Sequence, residues 1–275
     1  YEIRPRDWSS DVCSSDLTNS TGDEDNVIPS YVEVNFNHAC NLACSYCSPQ
    51  FSSTWAAEVE RSGAYPTHVP HNNPDHFTGN RRPIPVREAN PYVDAFWEWW
   101  PTLYPKLQHF RMTGGEPLMD KNTYRVFDYV LASPHPELHL NVTSNFSVEP
   151  ELFERYLTYV KNLCNTNIEH FMQYVSLDSG RPQQAEYIRH GTDWELIEQN
   201  LKRLTTVPNI NLHINSVVSI FNYASFGEFI FHLHQIGILN EHKGNVLQTY
   251  NMVSPEHITA QALPTSIKEI GRAHV

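Results

Sequence analysis

From Tyr31 onward, short segments rich in β-branched and aromatic residues alternate with segments whose apolar residues recur every three to four positions. This alternation confines the chain to an α/β fold around a parallel sheet, because parallel neighbours need a long crossover and a helix is the usual one. The strand segments are Tyr31–Phe36, His109–Thr113, Leu138–Thr143, Phe171–Leu177, Asn211–Ser219 and Val246–Val253. The helical segments are Thr54–Arg61, Pro91–Trp100, Lys121–Leu131, Glu149–Asn162, Trp194–Val207 and Ser225–Ile236. The clearest apolar stripe is Trp194, Ile197, Leu201 and Leu204, with Asp193 as the N-cap. Six such units fall short of the eight of a closed barrel. Sheets of this kind bind ligands at the carboxyl ends of their strands, where loops and helix N-termini converge, so chemistry is expected in the residues just after each strand.

Charge and cysteine usage narrow the function classes. Nineteen Lys and Arg against 31 Asp and Glu give a formal net charge of −12, a poor balance for wrapping phosphate backbones, so nucleic acid is not the expected partner. No apolar run approaches the roughly 18 residues of a membrane span, and no secretory apolar core opens the chain. Of five cysteines, three lie within eight residues, which is not a secreted disulfide framework and fits a reducing cytoplasm.

Both ends lack apolar periodicity. Tyr1–Leu17 and Glu269–Val275 resemble translated adapter sequence, which would remove Cys13 from the chemistry and carry the natural protein beyond about Lys268. The organisation read from this is a non-native tail over 1–17, a linker over 18–30, a core over 31–253, the start of a C-terminal extension over 254–268, and a second tail over 269–275. Gly63–Asn90, rich in Pro, Asn and His, reads as a long loop of the lid or binding type.

The strongest local signal is Cys40-Asn-Leu-Ala-Cys44-Ser-Tyr-Cys47, a C-x3-C-x2-C run directly after the first strand. Thiolates are the ligands of iron–sulfur clusters, and three on one loop can hold three irons of a 4Fe-4S cluster while the fourth keeps an open position. The alternatives are a zinc site completed by His38, a disulfide with one thiol left over, or chance.

A second motif follows the second strand: Thr113-Gly114-Gly115-Glu116-Pro117. Two glycines allow close backbone approach to a ligand, although a lone GGE is also an ordinary turn. Together, the cysteine run after the first strand and the GGEP segment after the second resemble the signature of the radical SAM superfamily, over roughly Tyr31 to Val253. The resemblance implies a partial (β/α)6 TIM-like barrel that binds a 4Fe-4S cluster and S-adenosylmethionine. It also implies reductive cleavage to a deoxyadenosyl radical, hydrogen abstraction from a substrate, and an electron donor such as flavodoxin or ferredoxin. Within the superfamily the chain is most similar to the group with C-terminal SPASM or twitch-type extensions, which includes peptide maturases.

The resemblance assigns cluster ligation to Cys40, Cys44 and Cys47 and a place beside the adenine to Tyr46. Gly114, Gly115, Glu116 and Pro117 match the segment that receives the methionine ammonium, by the Glu116 side chain or the backbone beside it. Asn145, Ser176 and Asp178 stand at strand ends where polar residues hold the methionine carboxylate and ribose hydroxyls; an Asx-turn or helix cap is the plain alternative. Arg189 matches a guanidinium fork for the carboxylate, or else a solvated helix end. Ser216 and Asn251 occupy ribose and adenine positions, with strand packing as the alternative.

Other features carry less. His68, His71 and His76 have loose metal-like spacing without a cysteine to complete a set, Phe96, Trp97, Trp99 and Trp100 read as an aromatic helix face, and Cys164 as a small buried hydrophobe. Three functions remain open at this stage. They are a radical enzyme acting on a peptide, one acting on a small pterin-like molecule, and a non-catalytic zinc or iron–sulfur binding module. The last has no need of Gly114-Gly115-Glu116.

Overall fold

The structure is a computed structural model that describes residues 28–68, 71–72, 83–166, 168–239 and 244–272. The readings made for Cys13, His76 and the tail over 1–17 lie outside these residues.

Six strands form one parallel sheet: β1 (Tyr31–Asn35), β3 (His109–Thr113), β4 (His135–Ser144), β5 (Ile168–Ser176), β7 (Ile210–Val218) and β8 (Val246–Asn251). They lie in that order, each hydrogen-bonded to the next and parallel to it. Among the described residues β1 and β8 are the free edges, so the sheet stops short of closure, as six βα units imply. A second, two-residue antiparallel pair joins β2 (Ala43–Cys44) to β6 (Arg189–His190). The helices are α1 (Ser53–Ser62), α2 (Pro91–Leu103), α3 (Lys121–Ala132), α4 (Pro150–Thr166), α5 (Pro182–Ile188), α6 (Trp194–Leu204), α7 (Phe226–Gln235) and α8 (Thr265–Arg272).

Helix starts follow side-chain chemistry. Ser52, Asn90, Asp120 and Asp193 each accept a backbone N–H of the first turn of α1, α2, α3 and α6, satisfying donors that have no intrahelical partner. Alternation along each strand divides the sheet into two faces. The convex face carries Phe110, Met112, Leu140, Val142, Phe171, Val175, Leu212 and Ile214, packed with Phe127, Val130, Phe153, Tyr156, Val160 and Leu201 from the helices in one core. Each such side chain removed from water contributes about 1.5–3 kcal/mol, so this face fixes the register of the four central strands. The concave face is polar, with Glu33, Arg111, Thr143, Tyr174 and His213 on adjacent strands.

Some bounds differ from the sequence reading for physical reasons. β4 begins at His135, before the expected Leu138, because the ladder is irregular between His135 and His139 and the alternating pattern becomes clean only afterwards. α2 continues past Trp100 through Pro101 to Leu103, although proline lacks the N–H that ordinarily continues a helix. α5, β2 and β6 were not foreseen, being too short to show a period. α8 runs through Arg272, into the segment read as a tail from Glu269. No helix among the described residues is long and apolar enough to cross a membrane.

Candidate cofactor site at the carboxyl ends of the strands

The cysteine loop leaves the end of β1 and is fastened from several sides. Ser53 Oγ accepts from Cys40 N at 3.1 Å, and Thr54 Oγ1 donates to the Cys40 carbonyl at 2.7 Å. Trp55 Nε1 donates to the Cys44 carbonyl at 2.8 Å, Asn72 Nδ2 to the Cys47 carbonyl at 3.2 Å, and Cys47 N to the Cys44 carbonyl at 2.9 Å. The Ser53-Thr54-Trp55 start of α1 thus serves as a clamp on the loop that precedes it. With backbone carbonyls held from behind, all three thiols line one cavity of about 300 Å³, together with Tyr46, Gly114, Gly115, Ser144, Asn145, Ser176 and Arg189. Two larger cavities, of about 550 and 490 Å³, contain none of the thiols.

The two glycines are required by packing as well as by any ligand. A Cβ on Gly115 would lie 2.2 Å from the Ala39 carbonyl oxygen, and one on Gly114, whose φ is +121°, 2.1 Å from Asn35 Oδ1. Glu116 N donates to the same Ala39 carbonyl at 2.7 Å, so the turn after β3 lies against the cysteine loop. Glu116 itself is not among the residues that line the cavity. Its carboxylate accepts from Ser144 Oγ and Asn145 N, both at 2.8 Å, and from Leu118 N at 3.0 Å, and it is 2% exposed. Burial pushes its pKa up to about 7 against those three hydrogen bonds. The Glu116 carboxylate is thus engaged by donors of the protein itself. Pro117 opens a buried 3-10 turn behind it.

Asp178, Arg189 and Tyr46 form one network. Arg189 Nε donates to Asp178 Oδ2 at 2.8 Å, Tyr46 OH donates to the same oxygen at 2.5 Å, and Val217 N donates to Oδ1 at 2.7 Å. Asp178 is 2% exposed, and three of the roughly four lone-pair sites of its carboxylate are taken by these groups, so it orders the wall. Burial opposes the charge on Arg189, but Asp178, Tyr46 and Cys44 hold it well above its ordinary range. Its Nη1 lies 3.7 Å from Cys44 Sγ, and its guanidinium 5.3 Å from the Tyr46 ring. The two-residue β2–β6 pair sets Cys44 opposite Arg189 and brings these groups together.

Asn145 is the Asx-turn that its sequence allows: its Oδ1 accepts from Ser147 N at 2.8 Å, and it also lines the cavity. Ser176 is on the concave face and in the cavity wall. Ser216 and Asn251 do not join them. Ser216 shares the convex parity of Leu212 and Ile214 and is fully buried, and Asn251 shares that of Leu247 and is exposed. A period of two makes a one-residue error a change of face. The residue missed is Asn215, paired in register with Ser176, whose Oδ1 is buried without a partner.

Burial raises the three thiols, Cys40 to about 12, Cys47 to about 11 and Cys44 upward, so without a metal they are neutral. Among the described residues no three His, Cys, Asp or Glu side chains converge on one metal-ion position, and His38, the fourth zinc ligand considered, is buried outside the cavity wall. His71 pairs its backbone with Tyr65 instead of joining a metal set. Cys164 is half-buried on α4, and Phe96, Trp97 and Trp100 stack on Phe36 and Phe110, as a core face does.

No family model and no curated protein matches the chain. Among solved structures, Streptococcus suis SuiB bound to S-adenosylmethionine aligns over 90% of this chain and 47% of its own, with 15% identity and a TM-score of 0.50. Native anSMEcpe with bound AdoMet aligns over 81% of this chain and 52% of its own, with 14% identity and a TM-score of 0.48. The chain spans about half the length of either. The likeness to SuiB establishes the fold, a partial (β/α)6 TIM-like barrel.

Proposed function

We propose that this chain is a radical SAM enzyme whose 4Fe-4S cluster is held by Cys40, Cys44 and Cys47 beside a bound S-adenosylmethionine. The observation that carries the reading is the shared cavity: three thiols, two backbone-exposing glycines and a buried guanidinium meet at the carboxyl ends of parallel strands. The donor set fits the group. Three thiols lining one cavity are the donor chemistry that iron–sulfur clusters take. When bound, the pair supplies one electron from the cluster to the sulfonium, releasing methionine and a deoxyadenosyl radical that abstracts hydrogen from the substrate.

The chain's own residues bind, orient and shield. Arg189 places positive charge beside Cys44 Sγ and in the cavity wall, where a ligand carboxylate is accommodated. Asp178 fixes the guanidinium plane and the Tyr46 ring, which fits stacking on a purine. Gly114 and Gly115 leave backbone carbonyls accessible for an ammonium, and Asn145, Ser176 and Asn215 supply polar groups for hydroxyls. The open side between β1 and β8 favours an extended substrate such as a peptide over a small pterin-like molecule. A low-potential donor of the flavodoxin or ferredoxin type and a reducing cytoplasm complete the reading.

Anaerobic reconstitution with iron and sulfide tests the ligand set. The expected result is about four irons and four sulfides per chain with a broad absorption near 400 nm, lost in Cys44→Ala. Full iron in that variant, or stoichiometric zinc in the native chain, overturns it.

A further inference from the structure

The concave face below the thiol cavity carries polar groups whose hydrogen bonding is incomplete. Arg111, on β3, is partly exposed, with its guanidinium 4.5 Å over the Tyr174 ring. Its Nε and Nη2 both donate to a single oxygen, Thr143 Oγ1, at 3.3 and 3.1 Å. That edge of a guanidinium matches two oxygens, and Thr143 supplies one. Its Nη1 forms a loose ion pair with Glu33 Oε2 at 3.8 Å, and the guanidinium also acts on the Tyr31 hydroxyl. The Glu33 carboxylate is also engaged by Tyr31 OH at 3.0 Å and Thr113 Oγ1 at 3.1 Å.

Across the face, His213 meets Tyr174 edge to face with ring centroids 5.1 Å apart, and its Nδ1 is buried without a partner. A buried polar atom left unpaired is costly, and a ligand is one of the ordinary ways such a group is satisfied. Thr143 links the two regions, since it lines the thiol cavity and also receives Arg111. A molecule lying along the concave face beside Tyr174 would therefore reach the cavity with one end while its other end met Arg111 and His213.

We propose that the concave face binds the substrate through a carboxylate anchored on Arg111, with His213 as a second polar contact. Arg111 is thus a specificity-determining residue for an acidic substrate. The assignment rests on the radical SAM reading for the word substrate, but the carboxylate contact itself is independent of it. The shared chemistry is a carboxylate, from an acidic peptide residue or from a small organic acid.

The test is ligand-observed NMR titration of the reconstituted chain with N-acetylglutamate amide and N-acetylglutamine amide, which differ only in carboxylate against carboxamide. The expected result is about tenfold tighter binding of the glutamate probe, with the preference abolished in Arg111→Gln and reduced in Arg111→Lys. Glu33→Gln removes the competing carboxylate and is expected to tighten the glutamate probe several-fold, a gain that a merely structural role for Arg111 would not produce. Circular dichroism verifies the fold of each variant, and Glu33→Gln carries the test if Arg111→Gln does not fold. Equal binding of the two probes, a preference that survives Arg111→Gln, or no gain in Glu33→Gln overturns the proposal. Glutarate against the pentapeptide acetyl-Gly-Gly-Glu-Gly-Gly amide identifies the source: either bound in an Arg111-dependent way sustains the anchor, and the tighter names it. Deoxyadenosine formation by the native chain is scored separately, so a failed radical reading is distinguishable from a failed anchor.

Discussion

Replacing Glu116 by Gln separates two forces that act on one buried carboxyl. Burial favours the protonated form, while hydrogen bonds from Leu118 N, Asn145 N and Ser144 Oγ favour the ionised one, and burial prevails, raising the pKa from 4.5 to about 7. The native state therefore binds more protons than the unfolded chain between these values, so stability falls as pH rises across this window. At about 1.4 kcal/mol per pH unit, the group removes about 3 kcal/mol between pH 4.5 and 7, an order-of-magnitude figure. Gln cannot titrate, so Glu116→Gln loses this slope. It keeps an acceptor for part of the donor set, but an amide NH₂ beside the Asn145 N–H costs about 1–3 kcal/mol. The assay is urea unfolding of the metal-free, reduced chain, followed by circular dichroism at pH 5 and pH 7.5. Glu116→Gln is expected to be the less stable protein at pH 5 and to recover most of the deficit at pH 7.5. A native chain that gains on the variant as pH rises would refute the reasoning and show that the three hydrogen bonds outweigh burial.

Further expectations follow from contacts elsewhere in the site and core. Gly115→Ala drives a methyl into the Ala39 carbonyl and displaces the cysteine loop, so iron and sulfide per chain fall several-fold on reconstitution while the far-UV spectrum is kept. Arg189→Gln leaves the Asp178 carboxylate buried without its cation and costs about 3–5 kcal/mol in denaturant unfolding. Arg189→Lys keeps the charge but loses the N–H near Cys44 Sγ, and an EPR-monitored redox titration is expected to find a more negative cluster potential. Phe127→Ala opens a cavity in the fully buried core and costs about 3–5 kcal/mol by urea unfolding, without altering the thiol cavity.

The fold was legible because its signal is redundant. The central strands are buried against helices by the same alternation of residues, and the interval His109–Thr113 has the same bounds in sequence and structure. The cysteine run and the glycine pair were legible as spacing. Their mutual contact was not, because Gly115 meets Ala39 only after two strands have paired in parallel. Parity of the later strands was the weak point. Ser216 and Asn215 differ by one position in a run of nine strand residues, and only burial against the helices decides which of them faces inward. Asp178 and Arg189 were both named from strand and helix ends, but their ion pair depends on a two-residue ladder that leaves no periodic trace in sequence. Arg111 gave no signal at all, since one cation in an alternating strand is what any solvated face contains.

The central claim is tested most directly by incubating the reconstituted chain with dithionite and S-adenosylmethionine under strict anaerobiosis and assaying deoxyadenosine. The account predicts deoxyadenosine and methionine in equal amounts, both abolished by Cys44→Ala. An intact 4Fe-4S cluster that leaves S-adenosylmethionine uncleaved over many hours would contradict it.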